Sequence, residues 1–194
     1  MNISTVRLDI IPLSFNQLKA MVRSRAELET LLGLKVSGEK LSTDYVEELQ
    51  ESLRTNQHAW QNNSKDYLFF TLWVMVDKQS KTLVGQFTFN GKPTPRGEVE
   101  VFFSVDPCHR RKGFGCEAME GILGWAYKTD LFKVILIEAD FYNKAAMASL
   151  RKLKFKPVPS DDEETESTKY YKTVCKAKKD DNLDFDSFKD CCIE

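Results

Sequence analysis

The stretch from residue 98 to residue 155 constrains the fold more than any other part of the sequence. Apolar side chains alternate with mostly polar ones over residues 98–105, and this period of two predicts a β-strand. A basic loop with two glycines follows at residues 110–115, and a helix begins there. A second strand at residues 134–137 and a second helix at residues 143–153 come next. The order of these patterns predicts a βαβα unit.

The loop in this unit is typical of a phosphate-binding site. It reads Arg110-Arg111-Lys112-Gly113-Phe114-Gly115. The first backbone N–H groups of a helix have no partner within the helix, and the helix dipole favours an anion at that end. Two glycines let the backbone approach a ligand closely, and three consecutive cations supply positive charge. We therefore predict that the loop binds a pyrophosphate.

A dinucleotide site is one alternative, because the letters GFGCEA at residues 113–118 satisfy the fingerprint G-x-G-x-x-G/A. Glu138 lies at the far end of the next strand, roughly where a ribose-binding acid belongs. However, the fingerprint needs its first glycine in the tight turn directly after the strand, and here residues 106–112 intervene. Few residues remain after Leu153 for further parallel strands. The sequence therefore argues against a dinucleotide-dependent oxidoreductase.

The better match is to the GNAT superfamily of acyl-CoA N-acyltransferases. The loop resembles the family's motif A, whose pattern Arg/Gln-x-x-Gly-x-Gly/Ala is met by Arg110, Gly113 and Gly115. Asn143, followed by a helix and then by Phe155, is similar to the next motif of the family. Both motifs lie in the predicted βαβα unit and in the order that the family uses.

The resemblance implies an α/β fold in a single domain. Residues 5–13 look like the opening strand of the branch that includes RimJ/RimL-like ribosomal-protein N-terminal acetyltransferases, and the resemblance covers most of residues 5–174. It implies a mixed, mostly antiparallel sheet of about six to seven strands, flanked by about four helices, with splayed central strands. We expect residues 1–174 to form this domain and residues 175–194 to be a charged C-terminal tail.

Hydrophobic patterning along the rest of the chain agrees with this order of elements. A first strand at residues 5–11 is followed by a helix over residues 14–32 and by a second helix from about Ser42. Nearly continuous apolar residues at 68–76 indicate a strand covered on both faces. Residues 83–90 then predict the returning strand of a hairpin. One face of that strand is expected to carry Leu83, Gly85, Phe87 and Phe89.

The composition argues against several other classes of protein. Hydrophobic residues make up 42% and charged residues 29% of the chain, and the net charge is −1, so we expect no nucleic-acid partner. No apolar run reaches the ~20 residues that a membrane span needs, and the N-terminus lacks the layout of a signal peptide. The five cysteines lack metal-ligand spacing, so we expect reduced thiols and no metal. We therefore expect a cytoplasmic monomer or homodimer without a membrane partner.

The family resemblance implies acetyl-CoA as the co-substrate. Backbone amides and cations of residues 110–115 would hold its pyrophosphate, and the pantetheine arm would pair with the exposed backbone of residues 103–105. A backbone N–H at Ser104 or Val105 would polarise the thioester carbonyl. Asn143 would contact the pantetheine or the thiol end, and a plain helix N-cap is an equal alternative for it. The predicted cofactor-binding residues are Phe103, Ser104, Val105, Arg110, Arg111, Lys112, Gly113, Phe114, Gly115 and Asn143.

Three acidic residues are candidates for the general base that would deprotonate an amine. Glu100 is the first candidate, because it lies on the central strand close to the thioester position, and Glu98 and Glu138 are the reserves. A carboxylate on a largely apolar sheet face would have its pKa raised toward neutrality, which suits proton removal. The alternative is that these acids are salt-bridged surface residues.

The general acid is where the sequence departs from the family pattern. Many members carry a Tyr seven residues after the motif Asn, and that position is Leu150 here. The Ser that serves the ribosomal branch, three residues after the Asn, is Ala146. Ser149 and Tyr142 are nearby hydroxyls at unmatched positions, and we take Ser149 as the candidate.

The sequence thus predicts an N-acetyltransferase that moves an acetyl group from acetyl-CoA to a primary amine in a ternary complex. The amine would be a protein N-terminus or a small molecule. The alternative is a catalytically degenerate module that keeps acyl-CoA binding. The resemblance implies that the two helices after the first strand shape the binding site of the acceptor amine. Their sequence does not indicate which amine that is.

Overall fold

The computed structural model describes residues 2–60, 65–158 and 167–174. The predicted tail at residues 175–194 lies outside the described residues, as does the acidic segment at residues 161–166. The division into a domain and a tail therefore stays a prediction.

The described residues form five α-helices and eight β-strands. The helices are α1 (Phe15–Arg23), α2 (Arg25–Leu31), α3 (Thr43–Thr55), α4 (Phe114–Thr129) and α5 (Lys144–Lys152). The strands are β1 (Ile3–Ser4), β2 (Leu8–Pro12), β3 (Leu72–Asp77), β4 (Thr82–Phe89), β5 (Glu98–Val105), β6 (Val134–Asp140), β7 (Lys156–Pro157) and β8 (Ser167–Thr173). The predicted α/β class is confirmed. The extra strands are the two-residue β1 and β7, and the extra helix comes from a break in the first predicted helix.

All eight strands join one sheet in the order β1-β2-β3-β4-β5-β6-β8-β7. Neighbouring strands run antiparallel, except that β5 and β6 run parallel. The prediction of a mixed, mostly antiparallel sheet is therefore confirmed.

The strand β5 changes its partner half-way along its length. Residues 98–100 pair with β6, at residues 134–136. Residues 101–105 pair instead with β4, while residues 137–140 of β6 pair only with β8. The second half of β5 and the end of β6 therefore diverge, as the predicted splay requires.

One face of the sheet is covered by α4 and α5 over an aromatic core. The fully buried ring of Trp73 stacks on Phe87 at 5.3 Å and contacts Trp125 of α4 at 5.2 Å. Each such side chain contributes roughly 1.5–3 kcal/mol when removed from water. The helices α1, α2 and α3 cover the other face through a second cluster with β3 and β4. This second layer stops short of β5, so the polar face of β5 and β6 stays open.

The first predicted helix, over residues 14–32, is wrong in one respect because it is two helices that meet at Ser24. The backbone N–H of Ser24 ends α1 by donating to the carbonyl of Ala20 at 2.9 Å. Its side-chain Oγ begins α2 by accepting from the N–H of Glu27 at 3.1 Å. Serine competes in this way with helix continuation, and hydrophobic spacing does not register the competition.

Several other details differ from the sequence prediction. The strand predicted at residues 5–11 begins only at Leu8, and the strand predicted at residues 134–137 extends to Asp140. The predicted strand at residues 68–76 begins only at Leu72, because a 3₁₀ helix occupies Lys65–Phe69. The run is buried in either form, and continuous apolarity does not distinguish the two. A register shift between Met75 and Val76 also places Leu83 against α1–α3, on the face opposite Phe87 and Phe89.

Candidate active site

A cleft of about 980 Å³ opens where β5 and β6 diverge. Its walls are β4 and β5, the loop after β5, the start of α4, the end of β6 and the inner side of α5. Among the predicted site residues, the cleft is lined by Phe103, Ser104, Val105, Arg110, Arg111, Gly113, Phe114, Gly115, Glu138, Asn143 and Ser149. The fold therefore brings most of the predicted site together, whereas Lys112 and Glu100 are not among the lining residues.

The hydrogen bonds at the two ends of the diverging segment define which backbone groups face the gap. The carbonyl of Glu100 accepts from the N–H of Asn90 at 2.9 Å, and the N–H of Asp106 donates to the carbonyl of Val84 at 3.0 Å. Both bonds point toward β4. Backbone direction alternates along a strand, so residues 102 and 104 also point toward β4.

Residues 101, 103 and 105 consequently turn their N–H and C=O groups toward the gap. The carbonyl of Val105 accepts from Nε of Arg110 at 3.0 Å, and the N–H of Val105 faces the gap. The alternation excludes the amide of Ser104 as a donor there, because that amide belongs to the β4 ladder. Of the two donors predicted from the sequence, Val105 is the one with the required direction.

The loop before α4 is shaped to receive an anion. Arg111 and Gly113 both have left-handed backbones, with φ of 59° and 83°, and successive amides in such turns form a concave nest. Among the described residues no side chain caps Gly113, so the first amides of α4 are available to a ligand. The ring of Phe114 is buried in the core, and this residue has only its backbone to offer the site.

A buried ion cluster holds the end of β5. Arg25 of α2 donates through Nε to Glu29 at 2.9 Å and through Nη2 to Asp106 at 2.6 Å, and its side chain is 5% exposed. Nη2 also donates to the carbonyl of Leu83 on β4 at 2.9 Å. The layer formed by α1, α2 and α3 is thus connected directly to the residue that follows β5. Hydrophobic spacing gave no sign of this cluster, because it depends on residues far apart in sequence.

Glu100 differs from its predicted environment. Its carboxylate accepts from Nδ2 of Asn90 at 3.0 Å and pairs with Nζ of Lys169 at 3.0 Å. Burial on its own raises the pKa of Glu100, but these two hydrogen bonds and the charge of Lys169 outweigh burial, and the pKa is lowered. The predicted rise toward neutrality is therefore wrong. The causes are the hydrogen bond from Asn90 and the contact with Lys169 on β8, which reaches Glu100 across β6 and which no local pattern around residue 100 reveals.

The reserve acids have different surroundings. Glu98 lies at the start of β5, where Oγ1 of Thr94 is 3.5 Å from its carboxylate. Glu138 is exposed, lines the cleft, and accepts a hydrogen bond from Oγ of Ser167. Asp140 lies two residues further on the same face of β6 and also lines the cleft.

Asn143 is the N-cap of α5. Its Oδ1 accepts from the N–H of Ala146 at 3.0 Å, and the residue also lines the cleft. The capping alternative is therefore realised through Oδ1, while the Nδ2 group of the same side chain takes no part in the cap. Oγ of Ser149 donates to the carbonyl of Ala145 at 2.9 Å within the same helix.

Sequence reasoning missed several polar residues that line the cleft, among them Asp140, Tyr45 and Gln86. Tyr45 reaches it from α3, and burial followed by the nearby charge of Glu48 raises the pKa of its phenol, so the hydroxyl stays protonated. Gln86 reaches it from β4, where it lies opposite Ser104. The alternation of β4 could have indicated Gln86. Tyr45 could not be found in this way, because its position at the cleft depends on how α3 packs in the tertiary structure.

Neither a membrane-crossing helix nor a metal-ligand cluster is found among the described residues. None of the helices there has the length and apolar character to cross a membrane, and no group of three or more His, Cys, Asp or Glu in that part could hold a metal ion.

Comparison with known proteins identifies the family. The model of the acetyltransferase (GNAT) domain family matches residues 7–156, which is most of the chain and includes the loop, the gap and α5. The chain belongs to the GNAT acetyltransferases. As a GNAT acetyltransferase it is an enzyme that uses acetyl-CoA.

Individual relatives agree with this membership. The uncharacterized N-acetyltransferase YjdG of Bacillus subtilis is 30% identical over 127 residues, which are 64% of this chain and 71% of that protein. The structure of the ribosomal alpha-N-protein acetyltransferase RimL in complex with coenzyme A superposes with a TM-score of 0.62 at 11% identity, covering 89% of this acetyltransferase and 98% of RimL. Mutant forms of the spermidine/spermine N-acetyltransferase SpeG from Vibrio cholerae give 0.57 at 19% identity, covering 87% and 95%. At these identities the two structures show the shared GNAT fold alone.

Proposed function

We propose that this acetyltransferase binds acetyl-CoA in the gap between β5 and β6 and transfers the acetyl group directly to a primary amine in a ternary complex. The observation that carries the proposal is the change of partner within β5. It leaves the backbone of residues 101–105 facing an open cleft that leads to the uncapped start of α4. A ligand with amides along one arm and a pyrophosphate at its end matches both features.

Each part of acetyl-CoA is assigned to groups of matching charge or hydrogen-bonding character. Amides of residues 113–115 hold the pyrophosphate, with charge from Arg110 and Arg111. The pantetheine arm pairs with the backbone of Phe103, and the N–H of Val105 polarises the thioester carbonyl. A donor fixed in a strand needs no reorganisation when negative charge develops on that oxygen, which is why such donors lower the barrier.

Glu138 is the better-supported general base of the three predicted acids. Glu138 lines the cleft, whereas Glu100 does not, and the carboxylate of Glu100 is held by Asn90 and Lys169 with a lowered pKa. In this scheme Glu138 removes a proton from the ammonium form of the acceptor, directly or through a water. The neutral amine then attacks the thioester carbonyl, and the thiolate of coenzyme A leaves.

Protonation of that thiolate falls to Ser149 or to water in our proposal. Ser149 lines the cleft, and its hydroxyl donates to the carbonyl of Ala145, so in this scheme the hydroxyl turns from that carbonyl to protonate the thiolate. Positioning of the two substrates supplies most of the acceleration, which is worth roughly 7–11 kcal/mol in well-oriented reactions.

A second candidate function is acyl-CoA binding without turnover. The observation that favours it is the absence of a hydroxyl from positions 146 and 150, which are Ala146 and Leu150. The same cleft and loop would serve both functions, so binding measurements alone do not separate them.

Release of free thiol from acetyl-CoA separates the two functions. The purified protein is mixed with acetyl-CoA and a panel of amines that includes peptides with free N-termini and polyamines. Thiol release that depends on both an amine and the protein supports transfer. If calorimetry shows that coenzyme A binds but no amine in the panel causes thiol release, the result supports the binding module. Absence of coenzyme A binding contradicts both functions.

A glycine variant tests the loop itself. Replacing Gly113 and Gly115 by Val (G113V/G115V) is expected to weaken coenzyme A binding roughly a hundredfold, because a side chain strains the left-handed turn and covers the amides. Gly124→Ala is the matched control, since it lies within α4 and a Cβ there meets no heavy atom within 4 Å. An unchanged affinity of the double variant contradicts the proposed pyrophosphate site.

A further inference from the structure

The turn between β1 and β2 is attached to the first turn of α4 by a single carboxylate. Glu117 of α4 accepts from Oγ1 of Thr5 at 2.6 Å, from the backbone N–H of Arg7 at 2.7 Å and from Nε of Arg7 at 2.6 Å. Its side chain is 16% exposed. Burial on its own raises the pKa of Glu117, but hydrogen bonds from Thr5 and Arg7 and the charge of Arg7 lower it.

The rest of the Arg7 guanidinium contacts three consecutive residues of the phosphate loop. Nη1 donates to the carbonyl of Lys112 at 2.9 Å. Nη2 is 3.3 Å from the position that a Cβ on Gly113 would take. The guanidinium carbon lies 4.6 Å from the centroid of the Phe114 ring, within the range of a cation–π contact. Arg7 therefore contacts the loop from the turn between β1 and β2, 105 residues before Lys112 in sequence.

These contacts act on the part of the loop that determines where its amides point. Gly113 has a φ of 83°, and an exposed turn of this kind has alternative conformations unless other groups restrain it. The carbonyl of Lys112 and the ring of Phe114 flank that turn, and Arg7 restrains both. The planar guanidinium can satisfy Glu117 and Lys112 together, because its donors are arranged as a rigid fork.

Charge gives Arg7 a second effect on the same site. Glu117 is an acid in the first turn of α4, where its negative charge opposes the binding of another anion. The ion pair between Arg7 and Glu117, at 2.6 Å, offsets that charge. The field at the start of α4 then remains favourable for a phosphate.

We propose that Arg7 is a positioning residue for the cofactor: it holds residues 112–114 in the conformation that binds the pyrophosphate of acetyl-CoA. This inference rests on the proposed function, since it assumes that the loop binds that group. It assigns no chemical step to Arg7, so its effect is expected in cofactor binding and not in turnover at saturation.

The central test compares Arg7→Gln with the wild type on two acetyl donors. Acetyl-CoA carries the pyrophosphate, and S-acetylpantetheine lacks it. For R7Q we expect a tenfold to hundredfold rise in the Kd of coenzyme A and in the KM of acetyl-CoA, roughly the effect of losing charge-assisted hydrogen bonds. The kcat with acetyl-CoA should stay within about threefold, and kcat/KM for S-acetylpantetheine should not change. A general loss of structure would lower activity with both donors.

Two further variants separate geometry from charge. Arg7→Lys keeps the charge but cannot donate to Glu117 and to the carbonyl of Lys112 in the same fork, so it is expected to behave like R7Q. Glu117→Gln removes the carboxylate that orients Arg7, and it also removes the negative charge that opposes an anion at this end of α4. We expect the Kd of coenzyme A to rise because the loss of positioning outweighs the change in charge, and an unchanged or lower Kd would contradict the positioning role. Arg23→Gln is the matched control, because Arg23 pairs with Glu27 on the exposed side of α1 and α2, and its Kd should equal that of the wild type.

The outcomes are distinguishable. If the wild type does not bind coenzyme A, the proposed function itself fails. If the wild type binds and R7Q binds equally well, or if R7Q loses the same factor with S-acetylpantetheine, the inference about Arg7 fails alone. Full recovery of affinity in R7K would reduce the role of Arg7 to its charge and would overturn the positioning role. If R7Q does not fold, R7K and E117Q carry the same test.

Discussion

The two halves of β5 differ in what their backbone binds. Residues 98–100 pair with β6, and the sheet is continuous there. Residues 101–105 pair with β4, and their other edge faces the cleft. Unpaired backbone groups are costly when buried and invite another strand when exposed. The comparison shows that half a strand can lack a neighbour on one edge, provided that something else keeps that half in place. In our proposal this open edge receives the pantetheine arm.

Two contacts keep the open half in place. At its end, Asp106 is fixed by the buried guanidinium of Arg25. Along its length it lies very close to β4, since a Cβ on Gly85 would be 2.5 Å from the carbonyl oxygen of Ser104. Residues 98–100 need no such contacts, because their hydrogen bonds to β6 restrain them. The following predictions test this difference.

The largest expected effect comes from removing the anchor of the open half. Arg25→Met leaves Glu29 and Asp106 buried without their cation, and breaking a buried ion pair in this way costs about 3–5 kcal/mol. We expect the free energy of unfolding in urea to fall by that amount. Arg23→Met is the matched control, because it removes an exposed partner of Glu27 and should leave the unfolding midpoint in place. A fall below about 1 kcal/mol for R25M would show that the open half does not depend on this cluster.

The next effect concerns the acid beside the open half. Glu138→Gln should lower kcat roughly a hundredfold, the usual worth of a general base, while the Kd of coenzyme A stays unchanged. Glu120→Gln, an exposed acid on α4, is the control. Steady-state kinetics at saturating acetyl-CoA measure the change. If the kcat of E138Q stays within about threefold of the wild type while the kcat of Glu100→Gln falls strongly, Glu100 and not Glu138 is the general base.

Glu100 marks the boundary between the halves, and its expected role is in stability. Glu100→Gln should lower the free energy of unfolding by about 1 kcal/mol at pH 7, because it weakens the contacts with Lys169 and Asn90. In the folded protein the pKa of Glu100 is lowered below its ordinary value of 4.5. Its contribution is therefore present above about pH 4.5 and disappears as the pH falls through the folded pKa. Denaturant unfolding of both proteins from pH 7 to pH 3 measures this, and a difference that grows at low pH would contradict it.

The smallest effect is expected on the far wall of the cleft. Ser149→Ala should lower kcat less than tenfold, since water can protonate the leaving thiolate in place of the hydroxyl. Ala148→Ser, an exposed neighbour on α5, should not change kcat. A fall of a hundredfold or more in S149A would make that hydroxyl the essential acid.

Local patterns predicted a large part of this protein. The alternation of residues 98–105, the glycine-containing loop and the helix after it have the expected form, because strand period, turn chemistry and helix ends depend on neighbouring residues. The same locality explains the errors. Ser24 breaks a helix that apolar spacing runs through, and the pKa of Glu100 depends on Lys169, which is 69 positions later in the chain and reaches it from β8.

By itself the sequence determined most of the elements, the family resemblance and the position of the glycine-containing loop at residues 110–115, since these follow from periodicity and from residue types at fixed spacing. Only the tertiary structure decided which edge of β5 is open, which amide faces the gap and which acid lines the cleft. It also brought Arg7 to the loop and Arg25 to the end of β5. These outcomes depend on strand pairing and on side-chain contacts between segments that are distant in sequence. Such contacts form only when the chain folds, so no local sequence pattern records them.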